Sequence, residues 1–406
     1  MISNKNKKIF VAMSGGVDSS VSAFLLKEKG YDIIGVFIKV WHPEFAECDW
    51  KKERDDAMRI CAQLNIPFLT FDFEKEYKKE VADYMIEEYK NGRTPNPDVM
   101  CNKNIKFGAF LNKAQEMGAD MIATGHYARL KTTQIHPVKS SEASPPTAEF
   151  NRASADSPRH GGASTQIHPA KGGVNADNSV YKLCAGVDKE KDQSYFLWTL
   201  NQEQLKYTFF PVGDLEKSEV RKIAKENNLV TAEKKDSQGV CFIGKIQMKE
   251  FLKNFVKEKK GNVLNEKEEV IGYHEGAFFY TIGQRHGFVI TKKRPNQKPF
   301  YIISKNIDNN TIIVREGDEK ESSLYNSNKI EIEKINWIFG EKPNENKKYF
   351  GRIRYRQSLQ NCSIKYEDEK TFIIFEEKQK AVALGQSVVL YDEEECLGGG
   401  VIEKIL

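Results

Sequence analysis

Several features are missing from this sequence, and each absence narrows what the chain can do. No two of its seven cysteines stand as Cys-x-x-Cys: Cys48, Cys61, Cys101, Cys184, Cys241, Cys362 and Cys396 are scattered and odd in number. That argues against a disulfide framework and against a structural zinc site. Any cysteine with a special role therefore acts through its own chemistry, and no resident metal cluster is expected. No apolar run approaches membrane-spanning length, and Met1 to Lys8 lead into a short strand-like run instead of a signal-peptide apolar region. The expectation is a cytoplasmic protein without membrane contact. Excess charge is absent too: 62 Lys and Arg against 58 Asp and Glu leave a net charge of +4. A nucleic-acid surface must then come from local clustering. At 406 residues with 39% hydrophobic content, the chain has room for two or three domains.

What is present begins with a phosphate-binding pattern. Ile9-Phe10-Val11-Ala12 reads as a buried strand, and Val17, Val21, Phe24 and Leu25 repeat at helical spacing up to Gly30. Between them lies Met13-Ser14-Gly15-Gly16-Val17-Asp18-Ser19-Ser20. A strand that runs through two glycines into a helix aims several backbone N–H groups, and the positive end of the helix dipole, at one point. The serines add hydroxyl donors. Asp18, an acid beside phosphates, makes sense as a ligand, direct or through water, of a Mg²⁺ that bridges them. The Gly-Lys-Ser/Thr ending of a Walker loop and the three-glycine dinucleotide spacing are both missing. Near-continuous apolar strands at Ile33 to Ile38 and Phe68 to Phe73 alternate with helical stretches. The fold class is therefore α/β, a parallel sheet covered on both faces with its ligand at the strands' carboxyl ends.

Asn91 to Lys103 carries two prolines one residue apart and reads as a rigid irregular loop, followed by a helix from about Ile105 to Met117 and a strand from Asp120 to Ala123. Cys101 would then sit near a helix N-terminus with Lys103 and Lys106 close by, a setting that favours thiolate. Between Lys131 and Val180 the composition turns to Ser, Thr, Ala, Pro, Gly and His, too poor in large apolar residues to fold on its own. Thr133-Gln134-Ile135-His136-Pro137 recurs there as Thr165-Gln166-Ile167-His168-Pro169, a duplicated insertion with solvated histidines. Short helical patterns from Asn201 to Val256 predict a small helical linker domain. Within it Cys241 lies in Gly239-Val240-Cys241-Phe242-Ile243-Gly244, where a mobile reactive thiol and a buried inert one are both open. From about Gly283 short alternating strands predict a C-terminal antiparallel β-barrel. Arg352, Arg354 and Arg356 alternate at period two, so their guanidinium groups would share one face, suited to a phosphate backbone or to solvated ion pairs. The expected domains are 1–205 with an insertion at about 132–179, a central linker domain 206–282, and the barrel 283–406.

Met13 to Ser20 resembles the SGGxDS loop of the PP-loop ATP pyrophosphatases. Together with Asn96-Pro97-Asp98 ahead of Cys101-Asn102-Lys103, and with the Gly-bracketed Cys241, it makes nearly the whole chain similar to the tRNA-specific 2-thiouridylases, which place sulfur at C2 of the wobble uridine. The resemblance implies ATP and Mg²⁺ as cofactors, with Ala12, Met13, Ser14, Gly15, Gly16, Val17, Asp18 and Ser19 around the phosphates and Ile38 and Gly125 bordering the nucleotide. It implies a target base held by Asn96, Pro97 and Asp98, with Asp98 as general acid or base. It implies a persulfide on Cys241, supplied by a sulfur-carrier protein, and Cys101 as the partner that leaves a Cys101–Cys241 disulfide. Contacts to tRNA would come from His126, Lys191, Asp192, Gln193, Arg354, Tyr355 and Gln386. The chain departs from the family in having Ile38 where Met is usual, and in the length of the insertion after Lys131. Two other classes remain open on the sequence, an ATP-dependent amide ligase of the same superfamily and an RNA-binding protein with a regulatory ATP site.

Overall fold

The structure is a computed structural model that describes residues 7–45, 50–134, 179–235, 248–317 and 325–406. Cys48, Cys241 and most of the expected insertion lie outside the described residues. The first strands are β1 (Lys8–Ala12), β2 (Asp32–Lys39), β3 (Phe68–Asp72), β4 (Met121–Ala123), β5 (Ala128–Gln134), β6 (Ser179–Ala185) and β7 (Thr208–Phe209). Five of them form a parallel sheet in the order β3-β2-β1-β4-β7. Ile9, Phe10 and Val11 are all buried, because helices cover both faces. Ile9 and Val11 pack with α1 (Val17–Glu28) and with Ala57, Ile60 and Cys61 of α2 (Trp50–Gln63), whereas Phe10 packs with Phe71, Met85 and Phe110. Burial pushes the Cys61 thiol up to about 12, as suits a small core hydrophobe. The neighbours of β1 are β2 on one side and β4 on the other. The sheet therefore grows in opposite directions from it, and the crevice this creates opens at its carboxyl end, where the two glycines lie.

The proline-rich stretch is partly helical. Pro97–Met100 begins a helix that continues as a π-helix over Cys101–Ala109 and ends in Phe110–Glu116. Asn96 Oδ1 accepts from the Val99 N–H at 3.3 Å, and Pro97 occupies the first turn, where its missing N–H costs nothing. The second proline thus starts the helix instead of excluding it. Cys101 accordingly lies a full turn inside, away from the helix N-terminus expected for it.

The central region differs most from its expectation. β8 (Gly261–Leu264), β9 (Val270–His274), β10 (Val289–Ile290), β11 (Phe300–Asn306) and β12 (Thr311–Glu316) form a five-stranded sheet in the order β10-β9-β8-β12-β11. The short helices expected between Asn201 and Val256 are present as Gln202–Lys206, Lys217–Glu226 and Met248–Lys253, but β8 and β9 follow them, and two strands assigned to the barrel from 283 onward pair here instead. The barrel's own strands are β13 (Tyr325–Trp337), β14 (Tyr349–Arg352), β15 (Gln360–Glu367), β16 (Lys370–Lys380), β17 (Ser387–Asp392) and β18 (Glu395–Ile405). Their order β13-β16-β15-β14-β17-β18 is closed by the β13–β18 pairing, which removes the free edges an open sheet would expose.

The hairpin β5–β6 springs from the parallel-sheet domain and docks on this barrel. Glu395 stands opposite Cys184, the Ala185 N–H donates to the Glu394 carbonyl at 2.8 Å, and Glu394 pairs with Arg129 and Lys131. Its strands remain in register out to the Gln134–Ser179 pair. Ordered pairing thus continues into both ends of the stretch expected to be loose, because backbone ladders do not require large side chains.

Candidate active site

The phosphate loop is built by backbone constraint. Met13 N–H donates to the Val36 carbonyl at 2.8 Å, tying the loop's start to β2. Gly15 has φ +70, and a Cβ there would collide with the Glu53 carbonyl, so only glycine fits. Ser14 and Ser19 brace the turn: the Ser14 N–H donates to Ser19 Oγ at 3.2 Å and the Gly16 N–H to Ser14 Oγ at 3.3 Å. Gly125, after β4, closes from the opposite side. A Cβ on it would lie 2.9 Å from the Ser19 nitrogen and 3.0 Å from the Asp18 carbonyl carbon, a separation side chains do not tolerate. Ile38 stands half-buried near the end of β2, paired with Phe71. Cradle and Gly125 thus meet across the crevice.

Two lysines that the sequence did not single out complete this end. Lys217 Nζ lies 2.6 and 2.8 Å from the two carboxylate oxygens of Asp18, which also accepts from the Tyr127 hydroxyl at 2.7 Å. Lys234 Nζ lies 2.9 Å from the Gly15 carbonyl and 2.8 Å from Asp56 Oδ2. In the sequence Lys217 opens an amphipathic helix, Lys217–Glu226, and looks like any solvated helix charge. Only the tertiary contact distinguishes it.

The loop that leads into Pro97 is held from outside its own domain. The Thr94 N–H donates to the Leu384 carbonyl at 2.7 Å, and Gln386 Nε2 donates to the carbonyls of Thr94 at 2.7 Å and Pro95 at 3.2 Å. Thr94 Oγ1 is 3.1 Å from Thr281 Oγ1 of the central region. Arg93 pairs with Glu88 and Glu333 at 2.8 Å each, and with Glu403. Barrel, central sheet and parallel-sheet domain therefore all grip Arg93 to Pro95. Directly after this grip, Asp98 and Cys101 stand three residues apart in one helical run, on neighbouring positions of one face. Cys101 is buried at 5% exposure. Burial pushes the Asp98 carboxyl above its usual range, and the charge of Lys106 opposes that rise.

Several expected RNA contacts turn inward. His126 is buried with its ring 5.7 Å from Phe107 and 6.2 Å from Phe210, and burial drives its pKa well below the ordinary value. Its Nε2 is 3.4 Å from Lys106 Nζ and its Nδ1 is 2.7 Å from Thr124 Oγ1. An ammonium can only donate, so Nε2 accepts and the Nδ1–H points at Thr124. Asp192 is 5% exposed, accepts from the N–H groups of Gly186 and Ser194 at 3.1 and 3.0 Å, and pairs with the buried Arg352. Asp192 and Arg352 thus pair with each other in the interior, which corrects the single shared face expected for the arginine row. The row fails because β14 ends at Arg352 and Arg356 has φ +63, so the alternation of a strand is lost. Arg354 is exposed and donates to the Ala381 carbonyl, while the Tyr355 ring lies 4.5 Å from that of Phe196. Gln193 accepts the Tyr127 N–H at 3.0 Å, and Lys191, two residues earlier, is half-buried. Gln386 is committed to the loop that leads into Pro97. Among the described residues no cluster of three or more acidic, histidine or cysteine side chains is arranged to hold a metal ion.

Family models match the chain in three pieces: a tRNA methyl transferase HUP domain over residues 7–151 and 162–245, a tRNA methyl transferase PRC-barrel domain over 249–316, and an aminomethyltransferase beta-barrel domain over 327–402. The tRNA-specific 2-thiouridylase MnmA of Francisella philomiragia is 42% identical over 403 residues, covering 98% of this chain and 99% of that protein. The protein of the same name from Francisella tularensis subsp. novicida is 41% identical with the same coverage. The chain belongs to the tRNA-specific 2-thiouridylase family. The middle piece begins at 249, ahead of the five-stranded sheet, and ends with it at 316, while the first piece carries both the parallel sheet and the hairpin that docks on the barrel. Among solved structures, the U34-tRNA thiolase NcsA of Methanococcus maripaludis aligns over 31% of this chain and 40% of its own, with 25% identity and a TM-score of 0.24, a local likeness only.

Proposed function

We propose that this chain thiolates C2 of the wobble uridine of tRNA at the expense of ATP. The observation that carries the reading is the junction of the two loops. Asp98 and Cys101 lie on the helical run whose Lys106 reaches His126, and Gly125, one residue earlier, abuts Asp18 and Ser19 of the phosphate cradle. A base held at Asn96, Pro97 and Asp98 would face a nucleotide held by Ala12 to Ser19.

Uracil O2 is a poor leaving group, so it is first made a good one. O2 attacks the α-phosphorus of ATP, the N3 proton passes to Asp98, and the bond to pyrophosphate breaks. Pyrophosphate stays in the cradle, its charge offset by the helix dipole, Lys217 and Lys234. Asp18, the one carboxylate at the cradle, would hold a Mg²⁺ carried in by the nucleotide once Lys217 turns from it to the phosphates. When bound, that ion would neutralise phosphate charge. Cys241 would bring sulfur as a persulfide from a sulfur-carrier protein. The Cys101 thiolate attacks the Cys241 sulfur, forming the Cys101–Cys241 disulfide and releasing hydrosulfide, which attacks C2 and expels AMP. A thiol reductant then reopens the disulfide. Lys191, Arg354 and Tyr355 are the remaining candidates for direct contact with tRNA, and the setting is the cytoplasm.

An amide ligase would have no use for Cys101 beside Asp98, which favours thiolation over that alternative. The test uses ATP, a persulfide source, reductant and unmodified tRNA, read by nucleoside mass. Cys101→Ser and Cys241→Ser should each abolish 2-thiouridine, while Cys101→Ser still releases AMP or accumulates adenylated tRNA. Full turnover in both variants would overturn the reading.

A further inference from the structure

One run of the chain holds no acid at all. From Gly276 to Ile307 there is neither Asp nor Glu, where a sequence with 58 acids in 406 residues would place about four or five, and the same run carries Arg285, Lys292, Lys293, Arg294, Lys298 and Lys305. The fold itself uses part of this charge. Lys305 is half-buried and donates to the Tyr280 carbonyl at 2.6 Å, and Arg294 pairs with Glu316 at 2.8 Å. Glu275, the last acid before the run, is held by Lys249 at 2.8 Å. Arg285, Lys292 and Lys293 are left exposed, with no carboxylate partner among the described residues.

These cations follow a path that starts at the loop leading into Pro97. Thr281 Oγ1 meets Thr94 Oγ1 at 3.1 Å. The chain then runs beside the start of β11: the Gly283 N–H donates to the Ile302 carbonyl at 2.7 Å, and the Ile302 N–H donates to the Gln284 carbonyl at 3.0 Å. A Cβ on Gly283, which has φ +87, would stand 3.9 Å from Arg354 Nη2, so the exposed Arg354 of the barrel lies against this segment. Arg285 follows directly. The Gln284 side chain pins its turn, accepting from the Thr281 N–H at 3.1 Å and donating to the His286 carbonyl at 2.7 Å. Arg285 Nε donates to His286 Nε2 at 2.9 Å, which leaves both Nη groups for an anion. Further on, the Thr291 N–H is tied to the Ile271 carbonyl at 2.9 Å, and Lys292 and Lys293 begin the crossover from β10 to β11. These are the two edge strands of the central sheet, so the crossover spans the sheet's end. It rejoins the sheet where the Lys298 N–H donates to Glu316 Oε1 at 3.0 Å and Phe300 pairs with Glu316, close to the Ile302 that holds Gly283 and Gln284.

We infer that this end of the central sheet is a surface for the tRNA backbone: Arg285, beside Arg354, takes a phosphate next to the target nucleotide, and Lys292 and Lys293 take phosphates further along the strand. The inference rests on the reading that the target base is held at Asn96 to Asp98. A base held there brings its own flanking phosphates with it, and the path of exposed cations begins at the same loop. That favours a nucleic acid over an acidic protein as the occupant. The surface supplies the local clustering that a chain of net charge +4 needs to bind RNA.

Filter binding of unmodified tRNA across a salt series tests it. Arg285→Ala should weaken binding about tenfold at low salt and reduce the slope of log affinity against log salt by about one, and Lys292→Ala with Lys293→Ala should reduce that slope by about two. Lys365→Ala removes an equally exposed lysine from β15 of the barrel and should leave the slope as it is. Melting temperature and ATP affinity should match the wild type in all of these. Thiolation by the wild-type protein is measured alongside: variants with the expected slopes in a protein that does not thiolate would sink the proposed function and leave the surface standing. Unchanged slopes in Arg285→Ala and in the double variant, with wild-type thiolation intact, would refute the surface alone. So would thiolation lost only when a carrier protein, and not a small-molecule persulfide, supplies the sulfur, since the cations would then serve that protein. An equal change of slope in Lys365→Ala would also refute it, by reducing the effect to net charge.

Discussion

Lys217 Nζ stands 2.6 and 2.8 Å from the two carboxylate oxygens of Asp18, so the one acid of the phosphate loop is bracketed by a cation delivered from another helix. The pair sets the charge of the cradle. With Lys234 also bound to the loop at the Gly15 carbonyl, the site is prepared for an anion before any nucleotide arrives. Removing the ammonium in Lys217→Met should weaken ATP binding by about tenfold or more, as loss of a charge-assisted contact to phosphate does. Titration calorimetry with ATP should show this, with tRNA affinity unchanged; an unaltered ATP affinity would remove Lys217 from the nucleotide site.

The Asp192–Arg352 pair leads to a prediction about stability. Both residues are 5% exposed, and the Arg352 guanidinium sits 4.9 Å from the Tyr391 ring centroid. Asp192→Asn leaves a buried arginine without its counter-charge, which costs about 3–5 kcal/mol in comparable sites. Urea unfolding should record that loss, whereas the tRNA affinity of the folded fraction stays at the wild-type level. A variant of normal stability with weakened tRNA binding would return Asp192 to the RNA surface.

Gln386 joins the barrel to the loop at Arg93 to Pro95 through two carbonyls. Gln386→Ala deletes both donors and leaves the Thr94 and Pro95 carbonyls to rearrange. Misplacement of a reacting group lowers kcat more than binding, so turnover should fall about tenfold, with the tRNA dissociation constant nearly unchanged. Filter binding and steady-state kinetics on one preparation would separate the two.

The hairpin offers a test by deletion. Gln134 and Ser179 face each other across β5–β6, so replacing 135–178 with Asn-Gly provides the two-residue turn that such a ladder accepts. Thiolation and melting temperature should both remain close to wild type. A folded variant without activity would give the excised stretch a role in the reaction.

The phosphate cradle was legible because everything that makes it is local: a strand, two glycines and a helix within a dozen positions. The same holds for the parallel sheet, whose strands are continuous apolar runs. Lys217 and Lys234 were not legible, since they meet Asp18 and Gly15 from 199 and 219 residues away. The burial of Asp192 was not legible for a related reason: its partner Arg352 arrives from 160 residues on. The central sheet was not legible as a unit of its own: β11 and β12 read as strands of the barrel, and β8, β9 and β10 run only four, five and two residues, too short for alternation to stand out.

Arg93 has a further consequence, for the order in which the molecule comes into being. Its partners Glu333 and Glu403, and the Gln386 and Leu384 that hold Thr94 and Pro95, are all synthesised some 240 to 310 residues later. The phosphate cradle can close as soon as the segment through Lys234 has left the ribosome. The loop that leads into Pro97 cannot take its gripped form until residue 403 has followed. During synthesis the chain thus gains its phosphate cradle well before the gripped form of the loop at Arg93 to Pro95.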